Sequence, residues 1–355
     1  MVGMDVPSNR LPELSMSDDS IVAVAPISFP WPALDPFLFC AHHDDAYPAG
    51  NDWLGPDPAL LTGRNIGQDF EIRDGWRMYH GDVVPGFPRH PHRGFETITL
   101  ARRGFIDHSD SLGATARFGQ GDVQWMTAGQ GVVHAEMFPL VNRNAPNPTE
   151  LFQIWLNLPR EDKFNDAYFT MLWSETIPRA TFRDAAGRAT EVVMVAGAIG
   201  EQRAPQPPPS SWASRPKADV AVWTLKLESH ATWTLPPASP DANRVLYFFA
   251  GETVTVAGRA IEAAHAIQVR PDSTVTLENG DREAELLMLQ GRPIGEPVVQ
   301  HGPFVMNTPE EIHQAMRDYH ATGFGGWPWS DDGPVHARDK GRFAIHADGR
   351  EEQGG

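Results

Sequence analysis

The sequence predicts an all-β protein built as a sandwich or barrel, and three observations lead there. Short apolar or alternating runs recur along the chain, among them WRMYHGDVV, FETITLA, DVQWMTA, LFQIWLNL, EVVMVAGAIG, VAVWTLKL, RVLYFF and AELLMLQG. The 32 glycines and 32 prolines are dispersed between these runs as turn signals, at a spacing of roughly ten residues that suits many short strands. Helix signals are scarce.

Taken in order, the first stretch, MVGMDVPSNRLPELSMSDDS, is polar and acidic without an apolar centre. It does not read as a secretory signal, and residues 1–25 are expected to be flexible. FLFCAHHDDAYPAGND (37–52) carries Cys40, His42, His43, Asp44 and Asp45. Neighbouring strand residues point to opposite faces, so His42 and His43 cannot both reach one ion, and the stretch reads as polar loop or barrel-mouth residues. Cys40 has no evident base to activate it. APQPPPSSWASRPKAD (204–219) reads as an exposed loop or linker. The rhythm of FETITLARRGFIDHSD before it resembles that of RVLYFFAGETVTVAG after it, a hint of duplication. One helix is expected over 309–321, with Thr308 as N-cap, Pro309 in the first turn, Glu311 completing a capping box and Gly323 ending it. Ile312, Ala315, Met316 and Tyr319 form its apolar stripe. The polar, Gly-rich end, 331–355, is expected to be loosely held. GFGGWPW (323–329) lacks the strand and helix of a phosphate cradle.

Bulk properties narrow the function. The chain has 355 residues, 41% hydrophobic and 21% charged, which is ordinary for a protein with a real core. Its 29 basic residues face 46 acidic ones, a net charge of -17. Such a surface repels phosphate backbones and anionic lipid, arguing against direct nucleic-acid or membrane binding. No run of about 18 apolar residues is present. A single cysteine excludes an internal disulfide and fits a cytoplasmic protein.

The chemistry lies in two paired motifs. In RHPHRGFETITL (89–100), His90 and His92 stand two apart and therefore share one face of a strand. After 41 intervening residues, AGQGVVHAEMF supplies His134 and Glu136 with the same spacing. The turns DSLG and GQGD between them let the chain fold back, and a closed sheet would bring both pairs to one interior point. Three imidazoles and a carboxylate suit a divalent first-row metal with open positions. Glu96 shares parity with His90 and His92, but Gly94 could carry a bulge that turns it aside, so Glu96 is expected to support the site or the structure. Arg93 is expected to pair with a carboxylate.

HPHRGFET and GDVQWMTAGQGVVHAEM resemble the signature of the pirin family of the cupin superfamily, and GRPIGEPVVQHGPFVMNTPEEI (291–312) resembles its C-terminal segment. The resemblance implies two tandem cupin barrels: a metal-binding domain over 26–185 and a metal-free domain over 186–325, followed by a tail (326–355). By position it carries over His90, His92, His134 and Glu136 as metal ligands. Iron, as Fe(II), is the usual metal, while the donor types also admit Ni, Cu, Mn or Zn. Between 220 and 290 the only histidines are His230 and His265, in keeping with a metal-free second barrel. The activity it implies is a quercetin 2,3-dioxygenase-type cleavage of a flavonol by dioxygen with release of carbon monoxide, Glu136 acting as base. The alternative it carries is a metal- or redox-dependent regulator of a protein partner, with the Pro-rich loop or the second barrel as contact surface.

Overall fold

The computed structural model describes residues 20–355. Most of the segment expected to be flexible lies outside the described residues, but its last part does not: Ile21–Pro26 is a strand, β1. The chain then forms β2 (Phe37–Tyr47), β3 (Gly86–His92), β4 (Phe95–Arg103), β5 (Phe105–Asp110), β6 (Thr115–Gly119), β7 (Asp122–Thr127), β8 (Val132–Met137), β9 (Asn147–Asn157) and β10 (Tyr168–Leu172). Two facing sheets make the first barrel. One has the order β10-β7-β4-β9-β2; the other contains β6-β5-β8-β3 and is extended by Phe343–Ile345 and Glu351–Gln353.

The second barrel pairs a seven-stranded sheet, including β1 at one edge and Arg179–Arg183 at the other, with a four-stranded sheet drawn from residues 232–279. Strand 179–183, which the sequence placed in the first domain, thus belongs to the second. Among the described residues no helix is long and apolar enough to cross a membrane.

Alternation explains how the barrels meet. Along β4, β7 and β9, one set of alternate residues is apolar: Ile98, Leu100, Val123, Trp125, Phe152, Ile154 and Leu156. This face packs against Val222, Val245, Tyr247, Leu287 and Leu289 of the second barrel. The other set, Thr97, Thr99, Gln124, Gln153 and Trp155, faces the interior of the first barrel. The second barrel instead fills its interior with Met194, Trp223, Leu225, Leu246, Phe248 and Leu286. The first barrel's interior is apolar in part, through Met126, Leu151, Phe169 and Met171, but beside the histidines it carries the polar group Thr97, Thr99, Gln124 and Gln153.

The helix α1 (Pro309–Thr322) has the expected Thr308 cap, complete capping box and left-handed Gly323 terminus. Ile312 and Ala315 bury its stripe against Val133 of β8 and against Phe304 and Met306. Two expectations need correction. The 204–219 stretch is no exposed linker: Ser211 is fully buried and donates to Glu96 Oε2 at 2.5 Å, and Ala218 enters the inter-barrel core. A buried serine with a carboxylate to bond anchors the loop, while Gln206, Pro209, Pro216 and Lys217 stay exposed.

The tail is not loose either. Its strand 343–345 pairs with β6, and Arg117, itself 1% exposed, ties it down. Arg117 grips Asp107 through two bonds of 2.6 and 2.7 Å and donates to the carbonyls of His336, Ala337 and Lys340 at 3.0, 2.8 and 2.9 Å. The backbone N–H of His336 returns a bond to Asp107 at 2.8 Å. Removing one partner of a buried pair strands the other charge. Arg117→Met is therefore expected to lower the unfolding free energy by about 3–5 kcal/mol. Urea unfolding would show it, and a loss below about 1 kcal/mol would mean that the tail is held by other contacts.

Candidate metal centre

Antiparallel pairing of β3 with β8 sets His90 directly opposite His134, and His92 follows two residues on, on the same face. The three rings are neighbours: centroids lie 4.8 Å apart for His90 and His92, 4.4 Å for His90 and His134, and 4.9 Å for His92 and His134. One nitrogen from each falls within 4.8 Å of the others. Among the described residues this is the one group of three or more His, Cys, Asp or Glu side chains placed to share an ion.

The electrostatics suit a metal. Burial pushes the His90 pKa down to about 4, and burial together with the neighbouring imidazoles pushes those of His92 and His134 well below the usual range. All three are neutral near pH 7 and offer lone pairs rather than charge. His90 Nδ1 donates to the Pro88 carbonyl at 2.9 Å, which leaves Nε2 free for coordination. Both nitrogens of His134 and Nδ1 of His92 are buried without a protein partner. Each such group costs about 1–3 kcal/mol, and a shared cation is one way to offset that cost. The donor set fits a first-row divalent ion.

Glu136 shares the inward face of β8 but is not in the group of three. Its carboxylate meets the opposite sheet: Oε1 lies 2.9 Å from Thr99 Oγ1, and Oε2 accepts from Gln153 Nε2 at 2.7 Å. Thr99 Oγ1 also lies 2.6 Å from Gln153 Oε1. Burial raises the Glu136 pKa, against the hydrogen bonds from Thr99 and Gln153, which lower it. Half-buried His90, Gln153 and Trp155 mark the side on which the interior opens.

Glu96 is turned away from the trio. Gly94, at φ +86°, separates it from β3, and Glu96 lies on the inter-barrel face of β4. There it accepts from Thr127 Oγ1 at 2.6 Å and from Ser211 Oγ. Arg93 pairs with Asp318 of α1 at 2.6 Å. His42 and His43 do face opposite ways. His42 contacts Glu150 at 2.9 Å in a charged cleft of about 550 Å³ between the barrels, lined also by Arg102, Phe249 and Glu285. His43 meets the Tyr79 hydroxyl at 2.8 Å. Cys40 is fully buried, and burial raises its thiol pKa.

The sequence reading missed the wall facing the trio, Thr97, Thr99, Gln124 and Gln153, and missed His108. The His108 ring is 5.4 Å from that of His134, with Nε2 3.2 Å from Asp110 Oδ2. The polar alternates of FETITL and DVQWMT carry the signal for the wall, but they read equally as a solvent face.

Two outcomes are expected. His134→Ala should lower bound first-row metal, by elemental analysis, by roughly tenfold or more. Glu96 is held at about 7, mainly by burial, against an ordinary 4.5. The folded state thus binds this proton more tightly than the unfolded one. The penalty is absent below the unfolded pKa and reaches about 3 kcal/mol as the pH rises past the folded one. Stability measured by urea unfolding should fall from about pH 5 to about pH 8, and Glu96→Gln should flatten the fall; an unchanged profile would contradict this.

Comparison with known proteins agrees with this architecture. The Pirin family model matches residues 29–156, and the Pirin C-terminal cupin domain matches 222–325. A Pseudomonas aeruginosa protein named "Putative quercetin 2,3-dioxygenase" is 37% identical over 287 residues, covering 76% of this chain and 93% of that protein. Human Pirin is 34% identical over 253 residues, covering 68% and 78%. The crystal structure of a quercetin 2,3-dioxygenase from Acinetobacter baumannii superposes with a TM-score of 0.65 at 26% identity, covering 82% of this chain and 87% of that one. With two barrels, a histidine trio confined to the first, and both family domains matched in order, the chain belongs to the pirin family of the cupin superfamily.

Proposed function

We propose that the protein is a metal-dependent dioxygenase of the quercetin 2,3-dioxygenase type. It would open the central ring of a flavonol with dioxygen and release carbon monoxide. The observation that carries the reading is the trio of neutral imidazoles turned into the first barrel, with both nitrogens of His134 and Nδ1 of His92 buried and unpartnered. The relatives named for quercetin oxidation support the substrate class.

His90, His92 and His134 would hold the ion, with Glu136 as fourth ligand or as base. Fe(II) is the first choice, and Ni, Cu, Mn or Zn suit the same donors. When bound, the ion supplies Lewis-acid stabilisation of an enolate oxygen. Glu136 is the carboxylate that would take the enol proton, and its raised pKa brings it toward the range useful for a base. Thr99 and Gln153 hold both of its oxygens and so fix its orientation. Trp155, its ring 5.6 Å from that of His92, offers an aromatic wall for a planar substrate. In the balanced reaction both atoms of dioxygen remain in the ring-opened product and one ring carbon leaves as carbon monoxide.

The test is aerobic incubation of metal-loaded protein with quercetin. Loss of flavonol absorbance with release of carbon monoxide is expected, and Glu136→Gln should reduce kcat by roughly 10²–10⁴-fold. Unchanged absorbance and no carbon monoxide with any of the five metals would overturn the reading.

A further inference from the structure

The inner wall opposite the trio carries hydrogen-bonding capacity that the protein itself does not use. Gln124, in the middle of β7, is 1% exposed, and neither its amide nitrogen nor its amide oxygen has a protein partner. Thr97 of β4, also 1% exposed, has an unpartnered hydroxyl. Both lie on the inward face. Gln124 is the cross-strand neighbour of Thr99, whose hydroxyl reaches Glu136, and Thr97 is the neighbour of Trp155, which touches His92. On the far side, His108 Nδ1 is likewise buried and unpartnered.

Burying an amide without partners is unfavourable, and an apolar side chain of the same shape would pack a central strand at less cost. The Gln124 side chain contributes no hydrogen bond to the fold, so its amide is suited to a guest. The chemistry of that guest follows from the groups that face it. An amide offers a donor and an acceptor side by side, and a threonine hydroxyl can serve as either. Trp155, Thr97 and Met126, with Gln153, Thr99 and Gln124 on the next rung, present no cation that would suit a carboxylate or phosphate. A neutral, planar molecule with adjacent hydroxyl and carbonyl oxygens matches both the wall and the imidazoles across from it.

We propose that Gln124 and Thr97 form the polar half of the substrate site, fastening the oxygenated edge of a flavonol-class ligand against the wall opposite the trio. This builds on the functional reading above in its choice of ligand, and it adds two specificity-determining residues beyond the metal ligands and Glu136.

The test uses the full-length, metal-loaded protein with quercetin as the probe, followed by tryptophan fluorescence quenching, for Gln124→Met and the conservative Thr97→Val. Metal content is expected to stay at the parent level while the quercetin Kd rises about tenfold in each variant. Ligand-free Gln124→Met should melt about 2–4 °C higher, because an unmet polar group has been removed. A lower melting temperature would make the amide a structural group held by buried water, and would overturn the proposal. So would an unchanged Kd in both variants, or failure of the parent protein to bind quercetin. Quercetin binding that the variants weaken, without any turnover, would sink the dioxygenase reading and leave this one standing. Turnover with an unaltered KM in both variants would do the reverse.

Discussion

The pairing of β3 with β8 is the constraint on which the site depends, because it decides which side chains look inward. With His90 opposite His134, a slip of one residue would turn one pair of alternate residues to the outer face while the other stayed inward. Several contacts guard that register. Gly86, at φ +130°, lies so close to β8 that a Cβ would sit 2.5 Å from the Glu136 carbonyl oxygen. Arg93, just past the strand, is tied to α1 through Asp318. Phe324, beyond the helix, lies over Gly131, where a Cβ would come within 2.6 Å of its ring. The helix and its terminal turn therefore back the outer side of the strand that carries His134 and Glu136.

The same geometry assigns the second barrel a role without giving it a metal. The central sheet of the first barrel has an apolar face and a polar face, and the polar one points inward. That is the reverse of an ordinary half-exposed sheet, and it is stable only if something covers the apolar side. The second barrel does so with Val222, Val245, Tyr247, Leu287 and Leu289. At this seam Glu96 is held between Thr127 and Ser211, so a carboxylate close in sequence to the metal motif serves the contact between domains.

Much of this could be read from the residues. Strand rhythm and turn spacing were enough for an all-β chain. The two alternate-residue pairs marked the histidines that meet, and Thr308, Glu311 and Gly323 delimited the helix. What escaped depends on partners distant in sequence. Ser211 looks like any loop serine until it is seen bonded to Glu96, 115 positions away. Arg117 looks like an exposed strand residue until the tail, more than 200 positions on, brings its carbonyls to it. Thr97 and Gln124 have the alternation of a wet surface, and only barrel closure shows that this surface is inside. The position of the Glu136 carboxylate, bonded to Thr99 and Gln153 outside the group of three, is equally a matter of side-chain packing that spacing does not express.

The two barrels are laced together at their ends. β1, near the start of the described chain, pairs with residues 265–269 of the second barrel, while strands 343–345 and 351–353 complete a sheet of the first. During synthesis the first barrel therefore emerges early but waits for the last residues before its sheet is whole, and β1 waits for a partner made some 240 residues later. Such long-range closure slows folding and leaves strand edges open in the meantime. Cutting the polypeptide between its barrels would leave each fragment without a strand that the other carries.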